Sequence, residues 1–359
     1  MSDKSPNPKR RLTVLDHLRG FFIIVIILDH LGRWPSLFGL ITGKGLLWVT
    51  AAEGFVIISG LLVGYVRGFK NRALPLIDVS IKLWRRAILL FICSIIASII
   101  YTAIFWYAPV IGGLPAMPID KGEWSELIFK IFTFQYTYMW VHFLTLYALF
   151  LAASPLAIWL MRINKSWLVV AISLVVFTIG RCTNIESLQW QALFFIPSVA
   201  GYHLEAIQSY WKKLGTSTQA IVKGTFLSVT IITILLSVWF TFYADQASAL
   251  TIDVNLLFDR ENIGITSLRV LLALTWFTGF LFFFQTIEGW LRRHLDWLLM
   301  PFGARSLSAY IVHGVVIVLI SLTTYASDSI IINTFLGVVC ILAVWGLLKS
   351  PLVQKTIPA

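Results

Sequence analysis

Ten stretches of this 359-residue chain run apolar for long enough to cross a bilayer, and that repetition constrains the fold more than any single motif. A span needs about 20 mostly apolar residues. The stretches lie at roughly 13–32, 46–67, 83–107, 137–161, 167–181, 189–205, 220–243, 266–287, 305–323 and 329–349, the fifth and sixth being the shortest. Hydrophobic residues make up 58% of the chain and charged residues 13%, with a mean hydropathy of +0.84, which lies outside the range of water-soluble domains. The expected fold class is an all-α polytopic membrane protein: a single membrane domain over 1–359, with tails at 1–12 and 350–359. No repeat of fixed period, low-complexity tract or soluble domain interrupts it.

Charge gives the expected topology. Lys and Arg gather in the N-terminal segment (Lys4, Lys9, Arg10, Arg11), in 67–86, 161–166, 205–223 and 287–305, and at the C-terminus, whereas Asp120, Glu123, Asp245, Asp253, Asp259 and Glu261 fall in the alternate segments. Positive charge stays inside, so both termini are expected in the cytoplasm, in a multi-pass protein of a bacterial-type inner (cytoplasmic) membrane. The formal charge of +11 is spread over these short connections as a topology signal, which leaves nucleic-acid binding unsupported. The first apolar run has the outline of a signal peptide, but Asp29 and His30 interrupt its core, so it is expected to stay as an uncleaved first helix. Residues 122–134 are amphipathic and either lie on the outer interface or lead into the fourth span. Cys93, Cys182 and Cys340 show neither paired nor metal-ligand spacing, and no metal site is expected.

The first run, "RLTVLDHLRGFFIIVIILDHLGRW", carries Asp16, Arg19, Asp29 and His30 where lipid would be expected. At about 100° per residue, Arg19 and His30 fall within about 20° of each other, with Asp16 about 60° from Arg19 on the same side. Eleven steps separate the two along the axis by about 16 Å. Ionisable groups inside a span cost free energy unless they meet a partner, a bundle interior or water, so they point to function. The bland alternative is an Asp16–Arg19 interfacial pair and a merely hydrogen-bonded His30. The second run, "AAEGFVIISGLLVGY", adds Glu53 amid small residues that let helices approach closely. Glu53 is then the expected partner of His30, fixing its tautomer and raising its basicity as a general base requires. Asp29, about 100° round the helix, is a weaker candidate.

These stretches resemble the membrane-bound acyltransferase-3 superfamily: "LDHLRGFFIIVIILDH", with its R-x(10)-H spacing, followed by "AAEGFVIISG", is most similar to the OpgC-type branch. Further similar segments are "HFLTLYALFL" (142–151), "WQALFFIPSVAGY" (190–202), "LRVLLAL" (268–274) and "FGARSLSAYIVHGVVI" (302–317). The resemblance implies transfer of an acyl group from cytoplasmic acyl-coenzyme A to a hydroxyl of a glycan or similar acceptor beyond the membrane. It also departs at His142, where that branch carries an acidic residue, a position assigned to the acceptor.

Thioester acyl transfer needs a base, donors for an oxyanion, and groups to hold the phosphates of the donor. His30 suits the first task. Arg269, Trp190 and Gln191 are candidate donors in the outer half, or else interface anchors. His313 in the ninth span is either catalytic or a packed core histidine; His17, His203 and His294 read as structural. For coenzyme A, Arg19 and Asp16 on the first helix and Lys82, Arg85 and Arg86 near the cytoplasmic mouth are the expected set, with Arg67, Lys70 and Arg72 nearby. The absence of a glycine-rich phosphate motif argues against a nucleotide triphosphatase. A flippase of lipid-linked sugar would use the same buried charges but should show paired halves with broken helices, which the sequence lacks. A non-catalytic part in glycan export is the third possibility.

Overall fold

The computed structural model describes residues 8–108, 119–243, 258 and 264–356. The acidic residues Asp245, Asp253, Asp259 and Glu261 therefore lie outside the described residues. In chain order the helices are α1 (Pro8–Leu31), α2 (Gly39–Thr42), α3 (Ala51–Leu62), α4 (Leu76–Tyr107), α5 (Trp124–Phe132), α6 (His142–Arg162), α7 (Ser166–Thr183), α8 (Glu186–Trp190) and α9 (Ala192–Tyr202). They continue as α10 (Leu204–Lys213), α11 (Thr216–Phe242), α12 (Ser267–Thr286), α13 (Glu288–His294), α14 (Asp296–Ala304), α15 (Ser306–Thr323), α16 (Ile330–Lys349) and α17 (Pro351–Thr356). A π-helical segment, Val63–Lys70, extends α3, and a 3-10 turn, Met139–Val141, precedes α6. The described residues are helix and connections throughout, with no strand.

Among the described residues, eight helical segments are long and apolar enough to cross a membrane. These correspond to eight of the ten expected stretches. The other two are α1, whose charges interrupt an otherwise sufficient length, and the stretch at 189–205, which is divided between α8 and α9 around Gln191. A second difference concerns 67–86, expected as a basic connection. Most of it is helical: Arg67 and Lys70 close the π-helical segment, and Lys82, Arg85 and Arg86 ride on α4. With 32 residues, α4 extends for about 48 Å, well beyond the hydrocarbon thickness of about 30 Å. The excess at its N-terminal end carries the charges.

The chain divides into two compact units. The first comprises Met1–Phe22, Gly45–Val79 and Ser154–Ala304. Its centre is α3 with its π-helical extension, packed on α9. Glycines set that contact: a Cβ at Gly60 would lie 2.0 Å from the Phe194 carbonyl oxygen, one at Gly64 1.8 Å from that of Ser198, and one at Gly201 2.0 Å from that of Leu61. Backbone therefore meets backbone, the close approach that small residues permit between membrane helices. On the outside, α11 exposes Ile221, Ile231, Leu235 and Trp239, a face that suits lipid and not water.

The second unit comprises Ile23–Lys44, Ser80–Ala153 and Arg305–Ala359. Its most enclosed helix is α15, packed on α16 and on the 3-10 turn. Arg33, buried just beyond α1, donates to the carbonyls of Tyr325 and Thr324 and to the Thr324 hydroxyl, tying the end of α15 in place. The amphipathic stretch at 122–134 forms α5, which buries Leu127 and Ile131 against Trp106 and Ile119 and exposes Ile128, Phe129 and Phe132.

Candidate active site

His30 lies in the last turn of α1, within the second unit, and its Nδ1 is 2.8 Å from Nε2 of His313 on α15. His313 is fully buried, and its Nδ1 lies 2.5 Å from the carbonyl oxygen of Tyr310, one turn earlier on the same helix. A carbonyl only accepts, so Nδ1 of His313 carries the hydrogen and, in the neutral ring, Nε2 accepts. His30 must then donate from Nδ1, and its lone pair is left at Nε2. That nitrogen has no hydrogen-bond partner among the described residues, and it is not sealed from solvent. The two imidazoles stack with centroids 5.1 Å apart, while the Tyr310 ring meets His30 edge-on at 6.1 Å. The result is a half-buried histidine, held from behind, with a basic nitrogen facing outward from its support.

The carboxylate expected beside His30 is committed elsewhere. Within the first unit, Arg269 on α12 binds Oε1 of Glu53, through Nε at 2.6 Å and through Nη2. Oε2 of Glu53 accepts from the backbone N–H and the hydroxyl of Thr50, at 2.9 and 2.6 Å. Local sequence explains both placements. Thr50 and Glu53 form a capping box at the start of α3, and Thr266 caps α12 by accepting from the Arg269 N–H. The partner of His30 is thus another histidine, and Glu53 is held by Arg269 and Thr50. Arg269, expected as a substrate donor, has its guanidinium engaged in this pair.

The remaining expected residues separate in the same way. Asp29, next to His30 on α1, is half-buried and takes no part in the chain from His30 to His313. Asp16 and Arg19 approach to 3.9 Å one turn apart, and the guanidinium of Arg19 lies over the Phe55 ring at 6.0 Å. Gln191 accepts from the Ser173 hydroxyl and donates to the carbonyls of Ser173 and Leu188, which uses its amide to bind α7 to the α8–α9 junction. Trp190 beside it is buried. His142 opens α6, half-buried. Lys82 and Arg85 are exposed on α4 and Arg86 is half-buried. The three histidines expected to be structural have structural partners: Asp296 for His17, Ser166 for His203, and the Trp290 carbonyl for His294.

Sequence reasoning missed two groups of this second unit. Tyr138 and Trp140, at the 3-10 turn, are buried, and their polar atoms lack partners. The signal was present in "FQYTYMW" (134–140), four aromatic residues in seven, which is easily read as an interfacial belt. Among the described residues, no group of three or more His, Cys, Asp or Glu side chains is placed to hold a metal ion.

No curated protein and no solved structure matches the chain. The family model described as OpgC protein matches residues 10–350, which includes every candidate residue named above. The chain belongs to the OpgC protein family.

Proposed function

We propose that this multi-pass membrane protein is an O-acyltransferase of the acyltransferase-3 type, carrying an acyl group from acyl-coenzyme A to a hydroxyl of a glycan. Membership of the OpgC family supports a transferase that acylates glucans. The observation that carries the chemistry is the unpartnered Nε2 of His30, with Nδ1 held by His313. A general base must be oriented, deprotonated and accessible. His313 orients the ring and fixes its tautomer, and Nε2 keeps a lone pair for an acceptor hydroxyl. His30 is the base in this reading, His313 the residue that positions it, and Tyr310 supplies the carbonyl that sets the direction of the chain.

The donor enters from the cytoplasm, the side that the basic segments favour, and its phosphates meet Lys82, Arg85 and Arg86. The exposed ends of Lys82 and Arg85 suit such a role. His142 and Trp190 belong to the acceptor side, as the resemblance implies, whereas Glu53, Arg269 and Gln191 hold helices together. The protein resides in the inner membrane, with both termini cytoplasmic.

The test is a transfer assay on purified protein in lipid, with labelled acyl-coenzyme A and a glucan acceptor. Acceptor-dependent release of free thiol, with label appearing on the glucan, is the expected result. Thiol release that ignores the acceptor, or none at all beside measurable glucan transport, would overturn the reading.

A further inference from the structure

Two hydrogen-bond donors in the unit that holds His30 have nothing to donate to. Tyr138 and Trp140 are 2% and 1% exposed, and neither the phenol oxygen nor the indole nitrogen has a partner. Most buried polar groups in native proteins are satisfied, and an exception calls for an explanation such as an absent ligand. Here two exceptions sit side by side, with ring centroids 5.1 Å apart at an interplanar angle of 66°.

Packing holds both rings in place without using their polar atoms. Tyr101 of α4 packs against Tyr138 at 5.4 Å and against Trp140 at 5.6 Å. The backbone N–H of Tyr138 donates to the Ser98 hydroxyl at 3.1 Å. This wall also reaches α15, the helix that carries His313. The 3-10 turn that contains Trp140 packs on α15. The Tyr101 hydroxyl stands where a Cβ on Gly314 would come within 2.3 Å of it, at the residue directly after His313.

The chemistry of the pair narrows the ligand. An indole nitrogen only donates. A tyrosine phenol keeps its proton at neutral pH, so Tyr138 too can donate. Both are neutral. A permanently charged carboxylate or phosphate calls for a cation, whereas an oxygen that gains its charge only during reaction is served by fixed neutral donors. Of the donors expected from sequence, Arg269 spends Nε and Nη2 on Glu53, and Gln191 spends its amide on Ser173 and Leu188.

We propose that Tyr138 and Trp140 are the oxyanion donors of the transfer, hydrogen-bonding the acyl carbonyl oxygen as it becomes negative; this rests on the acyl-transfer reading above. In the first half of the step, His30 Nε2 takes the acceptor hydroxyl proton, a C–O bond forms at the thioester carbon, and the π pair moves to the carbonyl oxygen facing Tyr138 and Trp140. In the second half that pair restores the C=O bond, the C–S bond breaks with its electrons on sulfur, and the thiolate takes the proton from His30. The products are an ester and free coenzyme A.

Tyr138→Phe removes one donor and keeps the ring. The expected result, in full-length protein in lipid, is a kcat lower by about 10²–10³-fold, with KM for acyl-coenzyme A and for acceptor both held within about threefold. Thermal stability should be unchanged or higher, since the substitution deletes a buried group that had no partner. Trp140→Phe should repeat the loss of kcat. Should it fail to fold, Tyr138→Phe alone decides. An unchanged kcat, or a lower Tm with full kcat, as loss of a bond to buried water would give, overturns the assignment, and so does a raised acceptor KM at full kcat. His30→Ala run alongside separates the two failures. If His30→Ala is inactive and Tyr138→Phe is fully active, only the donor assignment fails. If His30→Ala is fully active, the base reading fails whatever Tyr138→Phe shows.

Discussion

The two compact units each bury a pair of ionisable side chains, and the pairs differ in what they leave over. In the first, both carboxylate oxygens of Glu53 are engaged, one by Nε and Nη2 of Arg269 and the other by Thr50. In the second, the chain from His30 to His313 to the Tyr310 carbonyl is closed at one end and open at the other. A closed pair, engaged at both carboxylate oxygens, already has a task in the fold. An open one has a lone pair to offer. The contrast sets an engaged pair beside one that keeps a free lone pair, and four measurements test it.

The largest effect is expected at the open end. His30→Ala should lower transfer by about 10²–10⁴-fold while leaving the melting temperature near that of the native protein. A variant retaining more than about a tenth of native turnover would remove His30 from the role of base. The next effect concerns the closed pair and should appear in stability. Arg269→Met strands a buried carboxylate and should cost about 3–5 kcal/mol in denaturant unfolding, much of it recovered when Glu53→Gln is added. A fully stable Arg269→Met protein that has lost kcat would place Arg269 in the chemistry after all. His313→Ala comes third. The loss of the bond that orients His30 is worth about 1–3 kcal/mol, or about 5–150-fold in kcat, and His313→Gln, whose amide oxygen accepts from Nδ1, should restore part of it. Equal losses in His30→Ala and His313→Ala would mean that the two histidines act as one unit. The smallest effect is expected at Asp16–Arg19, a partly exposed pair at 3.9 Å. Asp16→Asn should change stability by less than about 1 kcal/mol, as thermal unfolding would register.

How much of this was legible in the sequence depends on which physical signal each residue carries. The place of His30 on the first helix was legible, because an ionisable group inside an apolar run stands out, whereas its partner His313, 283 positions away, was not. The spans were legible for a similar reason: length and hydropathy are local properties. The partner of Glu53 was not, since Arg269 lies 216 positions away, and charge alternation assigns a side of the membrane without saying which helices touch. The capping box of Thr50 and Glu53 stood in the sequence as T-x-x-E, a pattern that already employs the carboxylate at a helix start, and it argued for a structural role. The dividing of the stretch at 189–205 between α8 and α9 also escaped, because apolar composition does not report where a helical run is interrupted. Tyr138 and Trp140 were hidden by type, since aromatic residues near a span end are expected at the interface whether or not they have other work.

The three glycines at the α3–α9 contact carry a consequence for anyone who reads this protein through variation. Since a single methyl at 60, 64 or 201 would fall about 2 Å from a carbonyl oxygen of the facing helix, each position has an alphabet of one letter. In a saturation library sequenced after selection for folded protein, these three columns should stand empty of every substitution, alanine included. They would look as intolerant as any catalytic position, although backbone contact alone explains the intolerance. Depletion at 60, 64 and 201 therefore marks where two backbones touch, and a search for active residues in such data should set those columns aside before ranking the rest.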